Sequence, residues 1–475
     1  MHRRPLSRVA IVLAAVVVLA GSLVGGFYIL VIKHFDVQPP KAEYPRPRNL
    51  LEAQKQDLDY FGKLMALDRS YTPEERDRAK AKLAELKHLD RPLPPARLKV
   101  SLMQTIALAD NGHSSMFDGD SSSNPLMLVE PVRVTPFSDG FYIMRAKQPY
   151  SALLGGRVTA IDGVPFDKVL EQLTTLQGGT GAWRREQAAD FIVKQDILYG
   201  LGIAHDPQMS SWTVVQPDGH AVTALLRASP LRGATAFQSL RWLSPELLPA
   251  GKDWLSYSPA AGRLPESLQE YDHHFALIQV PDSCAVDIRL QKIHDSDGQE
   301  ILPFLKAAES TLKARPPCAA IVDLRGDTGG DYFNTERFAH ILPRLVAGTG
   351  PIYVLTDSLT FSAAIVTAAF LKDAGGNRVK IIGEPVGDRL AFYSEGPRAC
   401  LPNSNLCFYF QIAKHDLSHL CLQRDCYWRD WYAPVWVKSL QPDQLIPRRF
   451  ADWNEGHDAP YEWAVQAIRR SEARR

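Results

Sequence analysis

The chain has 475 residues, of which 45% are hydrophobic and 23% are charged, and its formal net charge at pH 7 is +1. This length suffices for two or three domains, and the hydrophobic fraction supports folded cores. A net charge near zero without long basic runs excludes the electrostatic pattern of a nucleic-acid-binding protein.

The N-terminal segment is typical of a membrane anchor. Residues 9–32 contain no charged side chain, and a helix of this length spans roughly 36 Å, more than the ~30 Å hydrocarbon core of a bilayer. Three arginines precede the segment and one lysine closely follows it, which favours a cytoplasmic N-terminus for residues 1–8. We therefore expect a single-pass protein of a bacterial inner membrane with an extracytoplasmic, periplasmic catalytic part. A cleaved signal peptide is the alternative.

Four regions follow the predicted anchor. Residues 33–48 form a proline-rich linker. Residues 49–125 form a helical segment, in which Thr72-Pro-Glu-Glu75 is a capping sequence at a helix start. Residues 126–250 change to short strands and form a β-rich module, in which residues 155–165 resemble a PDZ strand and turn. Residues 270–460 alternate strands with helices, which indicates an α/β catalytic domain.

All six cysteines lie after the predicted anchor. In an oxidising compartment, two pairs that are close in sequence predict local disulfides, and a third pair remains. A metal site is the alternative, because two histidines lie nearby, but no C-x2-C pair occurs and we expect no metal. The local pairs are Cys400 with Cys407 and Cys421 with Cys426, the remaining pair is Cys284 with Cys318, and the histidines are His415 and His419.

One segment contains a strand, a glycine-rich loop, a second strand, a serine and a helix in the order typical of a nucleophilic active site. Residues 319–330 read AAIVDLRGDTGG, an apolar run that predicts a buried parallel strand ending in a glycine-rich loop. Ser362 precedes the alanine-rich run 363–371, which predicts a helix that begins at or just after the serine. A hydroxyl group there lies in the positive field of the helix N-terminus, where an oxyanion is stabilised. The pattern predicts acyl-transfer chemistry.

These motifs resemble the C-terminal-processing and tricorn-type (tail-specific) serine peptidases. The resemblance implies a Clp-protease/crotonase-like fold for the catalytic domain. It also implies that Ser362 is the nucleophile and that backbone N–H groups of Gly329 or Gly330 and of Ala363 form the oxyanion hole. The segments that carry it are Asp323-Leu-Arg-Gly-Asp-Thr-Gly-Gly330, Thr360-Phe-Ser-Ala-Ala364, Gly383-Glu-Pro385 and Asp110-Asn-Gly-His113.

The general base distinguishes branches of this family. Tail-specific members use a lysine shortly after Gly-Glu-Pro, but this chain has Arg389 there, and arginine does not release its proton. Tricorn-like members use a histidine that His113 matches, and His415 is the second candidate. The third catalytic residue of these members is a glutamate near the end of the domain, and Asp430 is the candidate for that role here. Many relatives also carry an acid where this chain has Ile365.

The sequence thus predicts a membrane-anchored, exported serine peptidase that acts on peptides or proteins and needs no cofactor. Two alternatives remain open. Ile365 and the missing lysine favour a catalytically inactive protein that keeps the fold and binds polypeptides. An esterase acting on cell-envelope lipids or glycans would use the same serine.

Overall fold

A computed structural model describes residues 31–119, 128–230, 253–269 and 273–473, together with isolated positions between 16 and 28. Most of the predicted anchor, residues 9–32, therefore lies outside the described residues. None of the helices in the described ranges combines the length and hydropathy that a membrane span requires. The anchor stays a prediction.

The region after the linker is helical. Thr72 and Glu75 form a reciprocal capping box at the start of the second helix, as the capping sequence predicts. The first helix packs its apolar face onto the rest of the chain, and its Phe61 ring lies 5.2 Å from the ring of Phe408. The helices are α1 (Leu50–Leu67), α2 (Pro73–Lys87) and α3 (Pro95–Ala107).

A seven-stranded antiparallel sheet forms the β-rich module, with the strand order β10-β4-β5-β7-β8, β3 paired to β4 and β6 paired to β5. Trp212 on β7 is fully buried beneath it. The strands are β3 (Val132–Phe137), β4 (Gly140–Lys147), β5 (Arg157–Ile161), β6 (Val164–Pro165), β7 (Met209–Val215), β8 (Ala221–Arg227) and β10 (Trp254–Ser256). The accompanying elements are α4 (Phe166–Leu173), α5 (Gly181–Ile192), α6 (Gln195–Leu201) and the paired strands β2 (Leu128–Val129) and β9 (Ser229–Pro230).

The catalytic region contains a six-stranded sheet with the order β11-β12-β13-β14-β15-β20. The β11 and β12 strands are antiparallel, and the following pairs are parallel. Because parallel strands end at the same edge, the loops after β13 and β14 meet there. The strands are β11 (Phe275–Gln279), β12 (Val286–Leu290), β13 (Ala320–Asp323), β14 (Ile352–Thr356), β15 (Val379–Gly383) and β20 (Gln444–Leu445).

Helices cover this sheet. The alanine-rich helix α9 is the most central of them, since its residues 363–371 are all buried. The alternation of strands and helices confirms the mixed helix and sheet fold that the sequence predicts for this region. The helices are α7 (Ile301–Ala314), α8 (Phe333–Leu345), α9 (Ala363–Gly375) and α11 (Ala459–Glu472), whereas α10 (Phe450–Asn454) packs against β3 and β4 of the β-rich module.

Two small sheets connect distant parts of the chain. The strand β1 (Met116–Asp118), just after His113, pairs with β18 (Leu406–Tyr409), which also pairs with β17 (Arg398–Cys400). A separate antiparallel pair consists of β16 (Ala391–Ser394) and β19 (Ala413–Asp416). The pairing of β1 with β18 brings the His113 segment to the catalytic region.

Three disulfides are present, and both predicted local pairs are confirmed. Cys400 and Cys407 face each other on β17 and β18, and the Cys421–Cys426 bond closes a short loop after β19. The third bond joins Cys284 to Cys318 across a sequence separation of 34.

We expect the Cys284–Cys318 bond to contribute more stability than the Cys421–Cys426 bond. Loop-closure entropy predicts about 4 kcal/mol for the longer loop and about 2 kcal/mol for the shorter one. Urea unfolding of the two paired Cys→Ser variants, compared with the unmodified protein, measures the difference. A larger loss on removal of the Cys421–Cys426 bond would contradict this order.

Candidate active site

Two loops meet at the carboxyl edge of the catalytic sheet. The glycine-rich loop, residues 324–330, follows β13, and the serine loop, residues 357–362, follows β14. Phe361 N–H donates to the carbonyl oxygen of Asp327 at 3.0 Å, so that the loops are joined directly before the serine. Further bonds between the loops run from Thr360 Oγ1 to Leu324 O at 2.9 Å and from Gly326 N–H to Asp357 Oδ1 at 3.0 Å.

Ser362 has a strained backbone conformation at the start of α9. Its φ is 53° and its ψ is −122°, a region that non-glycine residues rarely occupy. The serine occupies the N-cap position, yet its side chain makes no capping hydrogen bond within the described part of the chain. The hydroxyl group is therefore not used to stabilise the helix, and it remains available for chemistry.

The glycine-rich loop lies against the serine turn. A Cβ atom at Gly329 would lie 2.7 Å from Ser362 Cβ and 2.9 Å from the backbone nitrogen of Ala363. Gly329 N–H donates to Asp327 Oδ1 at 2.8 Å, whereas the N–H groups of Gly330 and Ala363 have no acceptor among the described residues. The two N–H groups available to an oxyanion are thus those of Gly330 and Ala363.

His113 lies beside the serine loop. Its ring is placed between two phenyl rings, with centroid distances of 4.4 Å to Phe361 and 4.9 Å to Phe392. The side chain is 12% exposed, and neither ring nitrogen has a hydrogen-bond partner within the described residues. Buried polar groups normally have such partners, so this imidazole fits a group that exchanges a proton with a substrate. Phe361 precedes Ser362, so His113 lies beside the serine loop, but within the described residues its ring makes no hydrogen bond to the Ser362 hydroxyl.

Asp388 is the carboxylate beside His113. Its Oδ2 lies 3.4 Å from His113 Nδ1, and its side chain is 1% exposed. Among the described residues no donor reaches this Oδ2, while Oδ1 accepts the N–H of Arg389. The 3.4 Å separation is longer than a good hydrogen bond, as is common in catalytic sites without substrate.

Asp430 contacts a different histidine. Its carboxylate lies 3.0 Å from Nδ1 of His415 and accepts the hydroxyl of Tyr332 at 2.6 Å. The Phe392 ring stacks on His113 and also on His415, at 5.1 Å, and it separates the two imidazoles. Within the described residues Asp430 therefore does not contact His113, and this corrects the role that the sequence analysis predicts for Asp430. The register of β16 and β19 sets Phe392 opposite His415 and so determines this order.

His415 belongs to a buried hydrogen-bonded chain. Its Nε2 lies 2.8 Å from Ser394 Oγ, opposite the contact with Asp430. Burial opposes protonation of His415, but the Asp430 carboxylate more than offsets it, and the pKa of His415 is raised above its usual value. Ser394, His415 and Asp430 resemble a serine–histidine–aspartate arrangement, although Ser394 itself is buried.

Arg389 holds the turn that carries His113. Its guanidinium donates to the carbonyl oxygen of Asp110 at 2.8 Å and to Asp110 Oδ2 at 2.6 Å. Arg184 contacts the same carboxylate from α5. The arginine in the place of the family's lysine base is therefore bound to the segment that carries the histidine.

Ile365 lies inside the catalytic core. Its side chain is fully buried among the apolar residues of α9 and its neighbours. A carboxylate at this position would need a buried partner, because burial of an unpaired charge is costly. The isoleucine thus fits its surroundings as a packing residue.

A separate cavity, open to solvent, lies between the β-rich module and the catalytic sheet. It reaches the glycine-rich loop at Thr328 and the serine loop at Leu359, but neither Ser362 nor His113 is among its described lining residues. Arg325 in its wall is bound by two carboxylates, those of Asp323 and Asp458. We assign the chemistry to the serine turn rather than to this cavity.

No family model and no curated protein matches the chain. Among solved structures it is similar to mature CPAF complexed with lactacystin, with 14% sequence identity, a TM-score of 0.56, and coverage of 88% of this chain and 98% of that chain. Mature CPAF gives 14% identity and a TM-score of 0.55, with coverage of 88% and 96%.

The photosystem II D1 C-terminal processing protease is a weaker match, with 12% identity, a TM-score of 0.38 and coverage of 86% and 98%. A score that low does not establish a shared fold. The likeness to CPAF does establish one. At 14% identity that likeness shows the fold alone.

Replacing Gly329 by Ala should disable the serine turn. The new Cβ would meet Ser362 Cβ, and a misplacement of about 1 Å can cost on the order of 10²-fold in rate. Gly326→Ala is the matched control, because Gly326 also has a positive φ but its Cβ would meet nothing within 4 Å. Steady-state kinetics of both variants provide the measurement. An equal loss of activity in the two variants would show that backbone strain, and not the contact with Ser362, causes the effect.

Replacing Arg389 by Ala should lower kcat with little change in KM. The variant loses its hydrogen bonds to Asp110. Both side chains are more than a third exposed, so the net contribution is about 0.2–1 kcal/mol and a loss of up to roughly fivefold is expected. Arg315→Ala, at an exposed position at the end of α7, is the control. Unchanged kcat in Arg389→Ala would show that the Asp110 contact does not position His113.

Proposed function

We propose that the protein is a membrane-anchored serine peptidase whose exported part hydrolyses peptide bonds. The observation that carries this proposal is the strained Ser362 turn at a helix N-terminus. Within the described residues, the N–H groups of Gly330 and Ala363 have no acceptor and the ring nitrogens of the largely buried His113 have no hydrogen-bond partner. Strain, electrostatic stabilisation and an available base together are characteristic of a nucleophilic active site.

The proposed reaction proceeds through an acyl-enzyme. Ser362 Oγ attacks the substrate carbonyl while His113 accepts its proton and then donates it to the leaving amine. The N–H groups of Gly330 and Ala363 stabilise the oxyanion. Asp388 stabilises the imidazolium, the role originally expected of Asp430. Water then releases the acyl group by the same steps, and no cofactor is required.

The location and the substrate class have separate support. The uncharged residues 9–32 support an inner-membrane anchor, and three disulfides fit an oxidising compartment outside the cytoplasm. Peptides or proteins are the proposed substrates because the motifs resemble those of peptidases. A non-catalytic polypeptide-binding role is the competing proposal, favoured by the absence of an acid at Ile365.

Fluorophosphonate labelling distinguishes the two roles. We expect covalent labelling at Ser362 in the unmodified protein, none in Ser362→Ala, and nearly as complete a loss in His113→Ala, because nucleophile and base act as a unit. Ser394→Ala is the matched control and should label normally. Lactacystin, which is bound in a CPAF structure, is a second probe. Unlabelled native protein with intact folding would support the binding role.

The pH profile distinguishes His113 from His415 as the base. Activity requires a neutral imidazole, so kcat/KM falls on acidification through the pKa of the base. Asp430 raises the pKa of His415, so if His415 were the base, Asp430→Asn would move the acidic limb to lower pH. We expect Asp430→Asn to leave this limb in place and Asp388→Asn to lower kcat strongly. A downward shift in Asp430→Asn would transfer the base to His415.

A further inference from the structure

Large exposed apolar side chains are concentrated in the segment after β19. Five of them occur within residues 420–436, with exposed fractions between 42% and 75%. Folded soluble surfaces rarely carry so many together, and such groups mark contact sites. We call them the aromatic patch: Leu420, Leu422, Trp431, Tyr432 and Trp436.

Three members of the patch lie together in the structure. Trp431 Nε1 donates to the carbonyl oxygen of Cys421 at 3.3 Å, which joins the two ends of the segment. Leu420, Trp431 and Trp436 line the same groove. The Cys421–Cys426 disulfide constrains the loop that presents Leu422. These side chains are therefore held exposed by the fold rather than by a flexible tail.

The chain that follows the predicted anchor is bound to this same segment. His34 Nε2 lies 2.9 Å from Asp425 Oδ1, and the Phe35 ring lies 5.8 Å from the ring of Tyr427. Arg69 contacts both partners, with a hydrogen bond to the carbonyl oxygen of His34 and an ion pair with Asp425. The uncharged run ends at position 32, two residues before His34. The aromatic patch is thus tied to the point at which the predicted anchor would leave a bilayer.

The chemistry of the patch fits a lipid interface. Tryptophan and tyrosine combine an apolar ring with a polar group and prefer the headgroup level of membranes. Exposed cations lie in or next to the patch segment and at the end of the uncharged run, and they would attract anionic headgroups. These cations are Lys33, Arg424 and Lys438.

We propose that the aromatic patch rests on the surface of the bilayer in which residues 9–32 are anchored. This proposal rests on the membrane anchoring within the proposed function and is independent of the catalytic assignment. Two attachments, the anchor and the patch, would fix the orientation of the catalytic domain. The groove beneath the patch, whose lining includes His415 and Asp430, would then open next to the membrane surface.

Lipid photo-crosslinking of the full chain tests the proposal. The protein is reconstituted in vesicles of phosphatidylethanolamine and phosphatidylglycerol that contain a diazirine phospholipid, and labelled peptides are mapped by mass spectrometry. We expect labels in residues 9–32 and in residues 420–436. Leu225 and Leu302 are internal controls, because they are 60% and 56% exposed but lie outside the patch and should remain at background.

A variant separates the two attachments. Asp425→Ala removes the contact with His34, and we expect several-fold weaker labelling of residues 420–436 with unchanged labelling of residues 9–32. Labelling of the anchor alone in the unmodified protein would overturn the patch proposal and leave the anchoring intact. Labelling of neither segment would overturn both, while fluorophosphonate labelling still tests the peptidase. Protein–protein crosslinks at the patch, formed by a bifunctional crosslinker in a parallel sample that shows no lipid labels there, would assign the patch to a second copy of the chain and overturn the proposal.

Discussion

The close approach of the glycine-rich loop to the serine turn is the constraint on which the site depends. Hydrogen bonds from Phe361 and Thr360 hold the loops together, and only a residue without a Cβ fits at Gly329. This contact supports the strained conformation of Ser362 at the start of α9. Strain of this kind persists only where the surrounding structure over-determines it.

The position of His113 depends on contacts from three parts of the chain. Arg389 binds the turn at Asp110, and the side chain of Asn111 hydrogen-bonds to both backbone groups of Tyr393 on β16. From α5, Trp183 Nε1 donates to the carbonyl oxygen of Gly112 at 3.1 Å, and its ring stacks on that of Phe361 at 3.9 Å. The β-rich module and the catalytic region thus both fix the proposed base.

The same region lies between the candidate active site and the aromatic patch that we propose contacts the bilayer. The stack of His113, Phe392 and His415 leads from the serine loop to the groove beneath the aromatic patch. Asp430 lies at the junction, where it binds His415 and lines the groove. A contact with lipid at the patch would therefore lie close to the packing that supports the proposed base.

Local sequence signals were sufficient for the local elements. The apolar run before the glycines, the alanine-rich run after Ser362 and the spacing of Cys400 and Cys407 each predicted the element or bond that the structure contains. The partner of His113 was not accessible in this way, because Asp388 lies in a turn next to Arg389 and has no periodic or capping signal of its own. The resemblance to tricorn-like peptidases favoured Asp430, which the structure instead places against His415.

The sequence by itself determined the order of the strand, glycine-rich loop, serine and helix, because hydrophobic periodicity, helix propensity and turn residues act over a few positions. The tertiary structure alone decided which carboxylate faces which histidine and which N–H groups remain free near Ser362. Those relations depend on strand register and on contacts between residues far apart in the chain, as the pairing of Phe392 with His415 illustrates. Local sequence patterns do not predict such contacts, because only the packed fold brings the carboxylates and the histidines within a few ångströms of each other.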